Sequence, residues 1–128
     1  MASVSKGAIG EVAAARFLRE KGYHIVSSNY RCRQGEIDII ASVDDYIVFV
    51  EVKTRQQDSM YSPREAVTIA KHRRLIQTAA IYLAKHPIPL QPRFDVIEVV
   101  TAAKSAYKIV EINHILGAYE TGDLSRAF

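Results

Sequence analysis

The sequence predicts a single α/β domain with its elements in the order αβββαββ. Five runs dense in Val, Ile, Tyr and Phe read as strands, over residues 23–31, 35–40, 48–55, 94–100 and 106–112. Two stretches of helical period, 5–21 and 62–85, complete the set, the second lying between the third and fourth strands. At 128 residues and 48% hydrophobic content, the chain suffices for one buried core and not for two domains.

The first helix can be capped by Ser5, carries Ile9, Val12, Ala13 and Phe17 as its apolar stripe, and ends at Lys21-Gly22. Glu11 is out of place on it. Its neighbours at helical distances are Gly7, Ala8, Ala14, Ala15 and Leu18, a small and apolar surface. The strand over 23–31 alternates weakly, and its His24 is expected to be a surface residue. Gly35–Ile40 and Val48–Arg55 flank the polar Ser42–Tyr46 and predict a β-hairpin. Ser62-Pro63-Arg64-Glu65 reads as a strong helix start, and His86-Pro87 stops that helix near Lys85. Ile69, Ile76, Ala80 and Leu83 form its buried stripe, while Lys71, Arg74 and Thr78 share another face. Residues 87–92 are proline-rich and extended, a connector to the last two strands. The tail over 122–128 is expected to be disordered.

The hairpin is where the chemistry concentrates. Strands bound for a core do not carry Asp38, Glu51 and Lys53 without a reason, because unpaired buried charge is costly. Glu51 and Lys53 are two apart and share one face of their strand. If the hairpin brings Asp38 to that face, two carboxylates and one ammonium converge, as divalent-metal nuclease chemistry requires. Asp95 and Glu98 have opposite parity on a later strand and are expected to be structural or exposed.

The spacing Asp38, twelve residues, Glu51-Val52-Lys53 resembles the PD-(D/E)XK nuclease superfamily, which includes restriction endonucleases and Holliday junction resolvases. Gly7-Ala8-Ile9-Gly10-Glu11, Asn29-Tyr30-Arg31, Gly35-Glu36-Ile37-Asp38, Phe49–Arg55 and Arg93-Phe94-Asp95-Val96, taken in order, resemble the YraN family of bacterial proteins. Ile37 stands where the superfamily's name has proline. The resemblance spans Lys6 to Ala118. It implies a restriction-endonuclease-like core: a mixed five-stranded sheet with a helix on each face. It also implies a metal-dependent endonuclease cutting DNA, with branched or repair intermediates as candidate substrates. Asp38 and Glu51, with the Val52 carbonyl, would bind Mg²⁺ or Mn²⁺, hard cations suited to oxygen ligands. Lys53 would act on the attacking water or the transition state. Glu11 would complete the metal shell, as a first-helix Glu does in resolvase-like members; otherwise it is a first-turns Glu favouring the helix dipole. Resolvase-like relatives also imply a homodimer.

The charge is unevenly placed. Residues 53–74 hold six Lys/Arg against two Asp/Glu, whereas 1–52 hold six against seven and 75–128 five against five. The excess of +4 directly follows the hairpin and points to a phosphate backbone. Arg31, Arg33, Arg55, Lys71 and Arg74 are the expected nucleic-acid contacts, with solvated surface charge as the alternative for Arg31, Arg33, Lys71 and Arg74. The competing function is a non-catalytic nucleic-acid-binding protein in which Lys53 merely pairs with a carboxylate. Cys32, the only cysteine, excludes an internal disulfide and fits a reducing cytoplasm. No stretch has the length and apolarity of a membrane span, and the start lacks the apolar core of a signal peptide. Zinc-type Cys/His spacing, internal repeats and a phosphate-binding glycine loop are absent from the sequence.

Overall fold

The computed structural model describes residues 6–59 and 69–119. Its elements run α1 (Lys6–Glu20), β1 (His24–Cys32), β2 (Gly35–Val43), β3 (Tyr46–Gln56), α2 (Ile69–Lys85), β4 (Gln91–Ala102) and β5 (Ser105–Tyr119). The five strands form one mixed sheet in the order β1-β2-β3-β4-β5. All neighbours are antiparallel except β3 and β4, which the α2 crossover makes parallel. The αβββαββ order and the mixed sheet are those expected. The expectations of a Ser5 cap, of a helix start at Ser62–Glu65 and for the tail over 122–128 fall outside the described residues.

Each face of the sheet carries one core. On one side α1 contributes Ala14, Ala15 and Leu18 against Ile39, Ala41, Val48, Val50, Ile97 and Val99. On the other, Ile76, Ala79 and Tyr82 of α2 cover Ile37, Ile40, Ile47, Phe49 and Phe94. The strict alternation Ile47, Val48, Phe49, Val50 between the two cores is why β3 reads as a continuous apolar run.

Three expectations are corrected. Helix α1 is rotated relative to its predicted stripe: Gly10, Ala14 and Leu18 are buried, whereas Val12 is 69% exposed. The cause is close approach. A Cβ on Gly10 would collide with the Thr54 hydroxyl, so a glycine stands where the helix comes nearest to β3, and Ala14 and Leu18 follow it on the buried face. Ile9 and Val12 line a groove with Ile109 and Ile112 of β5, and Phe17 lines it too while its ring packs against the edge of the α1-side core. In α2, Thr78 is fully buried and does not share a solvated face with Arg74; its hydroxyl donates to the Arg74 carbonyl at 2.7 Å. It sits against Gly35, where an added Cβ would lie 3.0 Å from its Oγ1. Finally, β4 and β5 outrun their predicted bounds. β4 absorbs Gln91-Pro92 of the connector, with Pro92 near the strand's start where a missing N–H is tolerated. β5 continues from Ile112 through Tyr119.

That extension is held by a buried charge network. Asp95 is 0% exposed. Arg93 donates to it twice, at 2.9 and 2.8 Å, His114 Nε2 lies 2.7 Å away, and the Gly117 N–H donates at 3.0 Å. Arg93 also reaches the Tyr23 hydroxyl at 2.7 Å, tying in the end of α1. The Lys21 ammonium, which cannot accept, lies 3.0 Å from His114 Nδ1. That nitrogen is therefore the acceptor and Nε2–H the donor to Asp95. Burial pushes the Asp95 carboxyl up, but His114, Arg93 and the Gly117 N–H outweigh it and hold the group below its ordinary value. Asp95 is structural, as expected.

Candidate metal and phosphodiester site

The site lies where β2 and β3 part. Their ladder runs from Val43↔Tyr46, around the Asp44-Asp45 turn, to Ile39↔Val50. Beyond that pair, Asp38 takes over with its side chain: Oδ2 accepts the Val52 N–H at 2.8 Å. Alternation breaks at this point, since Ile37 packs in the α2 core and Ile39 in the α1 core although they are two residues apart. Asp38 accordingly lines a cavity of about 250 Å³ on the α1 side, together with Glu11, Arg19, Ser28 and Asn29. Asn29 supplies the local bend in β1 with its left-handed φ of 54°.

Glu51 and Lys53 point toward α2. Glu51 is only 5% exposed, and its Oε1 accepts from Lys53 Nζ at 2.8 Å and from Lys71 Nζ at 2.7 Å. Its Oε2 is buried and has no hydrogen-bond partner among the described residues. A buried carboxylate oxygen left bare is costly unless something fills the position. The two carboxylates are thus set to opposite sides of the strand gap, not on one face, and they still feel one another electrostatically.

The electrostatics separate them. Burial lifts the Asp38 carboxyl from its ordinary 3.8 to about 6; the Val52 N–H opposes this, while Glu11, Glu51 and Glu36 add to it. Glu51 goes the other way. Burial pushes it up, but the hydrogen bonds and charges of Lys53 and Lys71 prevail and leave it below its ordinary value. Lys71 is pulled down by burial and raised more strongly by Glu51, Lys53 and Asp38. At neutral pH Asp38 and Glu51 carry charge against two ammoniums, with Glu11 close enough to Asp38 to repel it.

Of the expected site residues, the structure brings Asp38, Glu11, Glu51, Lys53 and Val52 to one region, with Val52 contributing its N–H to Asp38. The expected nucleic-acid contacts divide. Arg31 pairs with Glu36 at 3.1 Å on the exposed β1–β2 arm, and Arg33 and Arg74 are exposed. Arg55 is occupied by Glu98 at 3.0 Å, with Asn113 also reaching that carboxylate. Lys71 is drawn inward to Glu51, a placement its helix pattern did not reveal. Whether the residues fit a hard divalent ion turns on Glu51 Oε2 and Asp38: among the described residues the first has no hydrogen-bond partner and the second engages only one of its two oxygens, an arrangement that suits an oxygen-seeking cation. Among the described residues no three His, Cys, Asp or Glu side chains are grouped closely enough to form a ready-made centre.

The family described as "Uncharacterised protein family UPF0102" matches residues 10–99. A UPF0102 protein of Caldanaerobacter subterraneus subsp. tengcongensis is 42% identical over 114 residues, covering 88% of this chain and 93% of that protein. One from Clostridioides difficile is 42% identical over 120 residues, 93% of this chain and all of its own length. One from Symbiobacterium thermophilum reaches 52% over 96 residues, 73% of this chain and 80% of its own. The matched span contains both carboxylates, the Lys53 and Lys71 ammoniums, Glu11 and the Asp95 anchor, so the chain that builds this site belongs to the UPF0102 family, the YraN group its motifs resemble.

Proposed function

We propose that this protein is a divalent-metal-dependent endonuclease that hydrolyses phosphodiester bonds in DNA, with branched or repair and recombination intermediates as the substrates to test first. One observation carries the reading: the buried Glu51 whose Oε2 lacks a partner among the described residues, across the strand gap from Asp38 and beside two ammoniums. Asp38 and Glu51 would hold Mg²⁺ or Mn²⁺, with Glu11 and the Val52 carbonyl as further donors. The ion supplies a more acidic water and charge neutralisation at the phosphate. The chain's own part is to fix the carboxylates on a rigid strand pair, to exclude water from Glu51, and to keep the Lys53 ammonium at the reacting phosphate. Exposed arginines on the β1–β2 arm and α2 would hold the backbone, in a cytoplasmic protein that a two-strand substrate would favour as a homodimer.

A second reading is favoured by a specific feature: both ammoniums already compensate Glu51, and no three-residue ligand group is present among the described residues. On that reading the protein binds nucleic acid without cutting it. The deciding experiment is a cleavage panel of branched, duplex and single-stranded DNA and of RNA with Mg²⁺ or Mn²⁺, paired with calorimetric metal titration. Wild type is expected to bind metal and cut, and Asp38→Asn to lose cleavage by a hundredfold or more, about the loss of one strong transition-state interaction. A wild type that binds nucleic acid but neither metal nor cuts any substrate establishes the second reading.

A further inference from the structure

The basic residues after the hairpin suggest a solvated phosphate-binding face, yet Lys71 is not on it. It crosses from α2 to place Nζ 2.7 Å from Glu51 Oε1, the same oxygen that Lys53 holds at 2.8 Å. Two ammoniums share one carboxylate oxygen, while the other oxygen has no hydrogen-bond partner among the described residues. Their surroundings differ: the Lys71 side chain is 37% exposed and reaches Glu51 from α2, whereas that of Lys53 is 20% exposed and lies on the same strand as Glu51. From this asymmetry we infer that Lys71 is a second lysine of the site, which holds Glu51 while no metal is bound and is released to a non-bridging oxygen of the scissile phosphodiester when a divalent cation takes that carboxylate. The inference rests on the proposed metal-dependent reading and adds a role for α2. Lys53, deeper and on the same strand as Glu51, keeps its position throughout.

Charge balance supports the exchange. Asp38, Glu51 and Glu11 against Lys53 and Lys71 leave one net negative charge, so most of the carboxylate charge is offset before any cation arrives. A dication added to these five charges would leave the site singly positive, which suits an anionic phosphodiester drawn against it. Because Lys71 competes for Glu51, its charge opposes cation binding while serving the reaction. Removing it should therefore move metal affinity and cleavage in opposite directions. A lysine that only contacted DNA would leave metal affinity alone, and one that only braced the fold would weaken both.

The test is Lys71→Met and Lys71→Arg, with Mn²⁺ titrated calorimetrically into the full-length protein without nucleic acid, and cleavage measured on whichever substrate wild type cuts. Lys71→Met is expected to bind Mn²⁺ about tenfold more tightly, as loss of one nearby like charge in a partly screened site implies, and to cut at least about a hundredfold more slowly. Lys71→Arg keeps the charge and should bind Mn²⁺ as wild type does. If Lys71→Met fails to fold without metal, Mn²⁺ should restore its melting transition at concentrations that saturate wild type or lower. Equal Mn²⁺ affinity in wild type and both variants overturns the inference while leaving the nuclease reading intact, and so does weaker binding by a folded Lys71→Met. Absence of Mn²⁺ binding by wild type overturns the metal reading itself.

Discussion

At the scale of single residues, Asp38 is a carboxylate whose burial and neighbours work against its charge. Ionising at about 6 in the folded chain and near 3.8 when unfolded, it is protonated in the fold over a range where the unfolded chain has lost that proton. The sign follows: its contribution to stability is fullest below about pH 4, falls as pH rises to about 6, and is flat above about 7. Asp38→Asn can still accept the Val52 N–H and never carries the charge. It should therefore raise metal-free stability by about 1–2 kcal/mol at pH 7.5 and by little or nothing near pH 4, in urea melts across that range. An equal gain at both pH values would show that ionisation is not what the site strains against. Asp38, Glu51 and Lys53 were legible because charge inside Val- and Ile-rich strands conflicts with burial. Lys71 was not, because a lysine on a helix with an apolar stripe reads as solvated, and its pairing with Glu51 spans twenty positions that no local periodicity covers. Arg55 was misleading for the same reason: Glu98, which occupies it, comes from the parallel neighbour strand 43 residues away.

At the scale of elements, the position of α1 decides whether Glu11 meets Asp38. The order of elements and the two faces of β3 could be read from pattern alone, since alternation along 47–50 assigns each residue to one core or the other. The rotation of α1 could not, because a hydrophobic stripe of Ile9, Val12 and Phe17 outweighs Gly10 and Ala14 in any hydropathy argument. Close packing reversed that ranking. Gly10→Ala should push α1 away from β3 at Thr54, destabilising the fold by about 1–3 kcal/mol through overpacking. It should also separate Glu11 from Asp38. Thr54→Ala removes the hydroxyl that a new methyl would strike. In that background Gly10→Ala should be neutral or stabilise by up to about 1 kcal/mol, because alanine is the better helix former. Thermal melts of the two single variants and the double variant check this. Additive losses across the cycle would show that the Gly10–Thr54 contact is not what sets the helix.

At the scale of the whole molecule, the +4 excess over 53–74 looks different once the charges are paired. Lys53 and Lys71 are held by Glu51 and Arg55 by Glu98, which leaves Arg73 and Arg74 as the exposed cations of that segment among the described residues. Arg31 and Arg33 add exposed charge on the β1–β2 arm. On the proposed function, nucleic-acid affinity should therefore be salt-dependent, but with fewer phosphate contacts than the sequence total suggests. Each phosphate contact removed lowers the slope of log affinity against log salt by about 0.9 on duplex DNA. Arg73→Ala with Arg74→Ala should thus flatten the slope by up to about 1.8, whereas Arg55→Ala should leave the slope nearly unchanged and cost stability instead. Breaking a partly buried pair strands the Glu98 charge, a loss below the roughly 3–5 kcal/mol of a fully buried one. Titrations at four or more salt concentrations, without divalent ion so that the proposed cutting cannot interfere, separate the two effects. A slope that falls with Arg55→Ala and not with the double variant would mean that the Arg55–Glu98 pair opens on binding, and would move the proposed nucleic-acid track from the outer face of α2 to the β3–β4 end of the sheet.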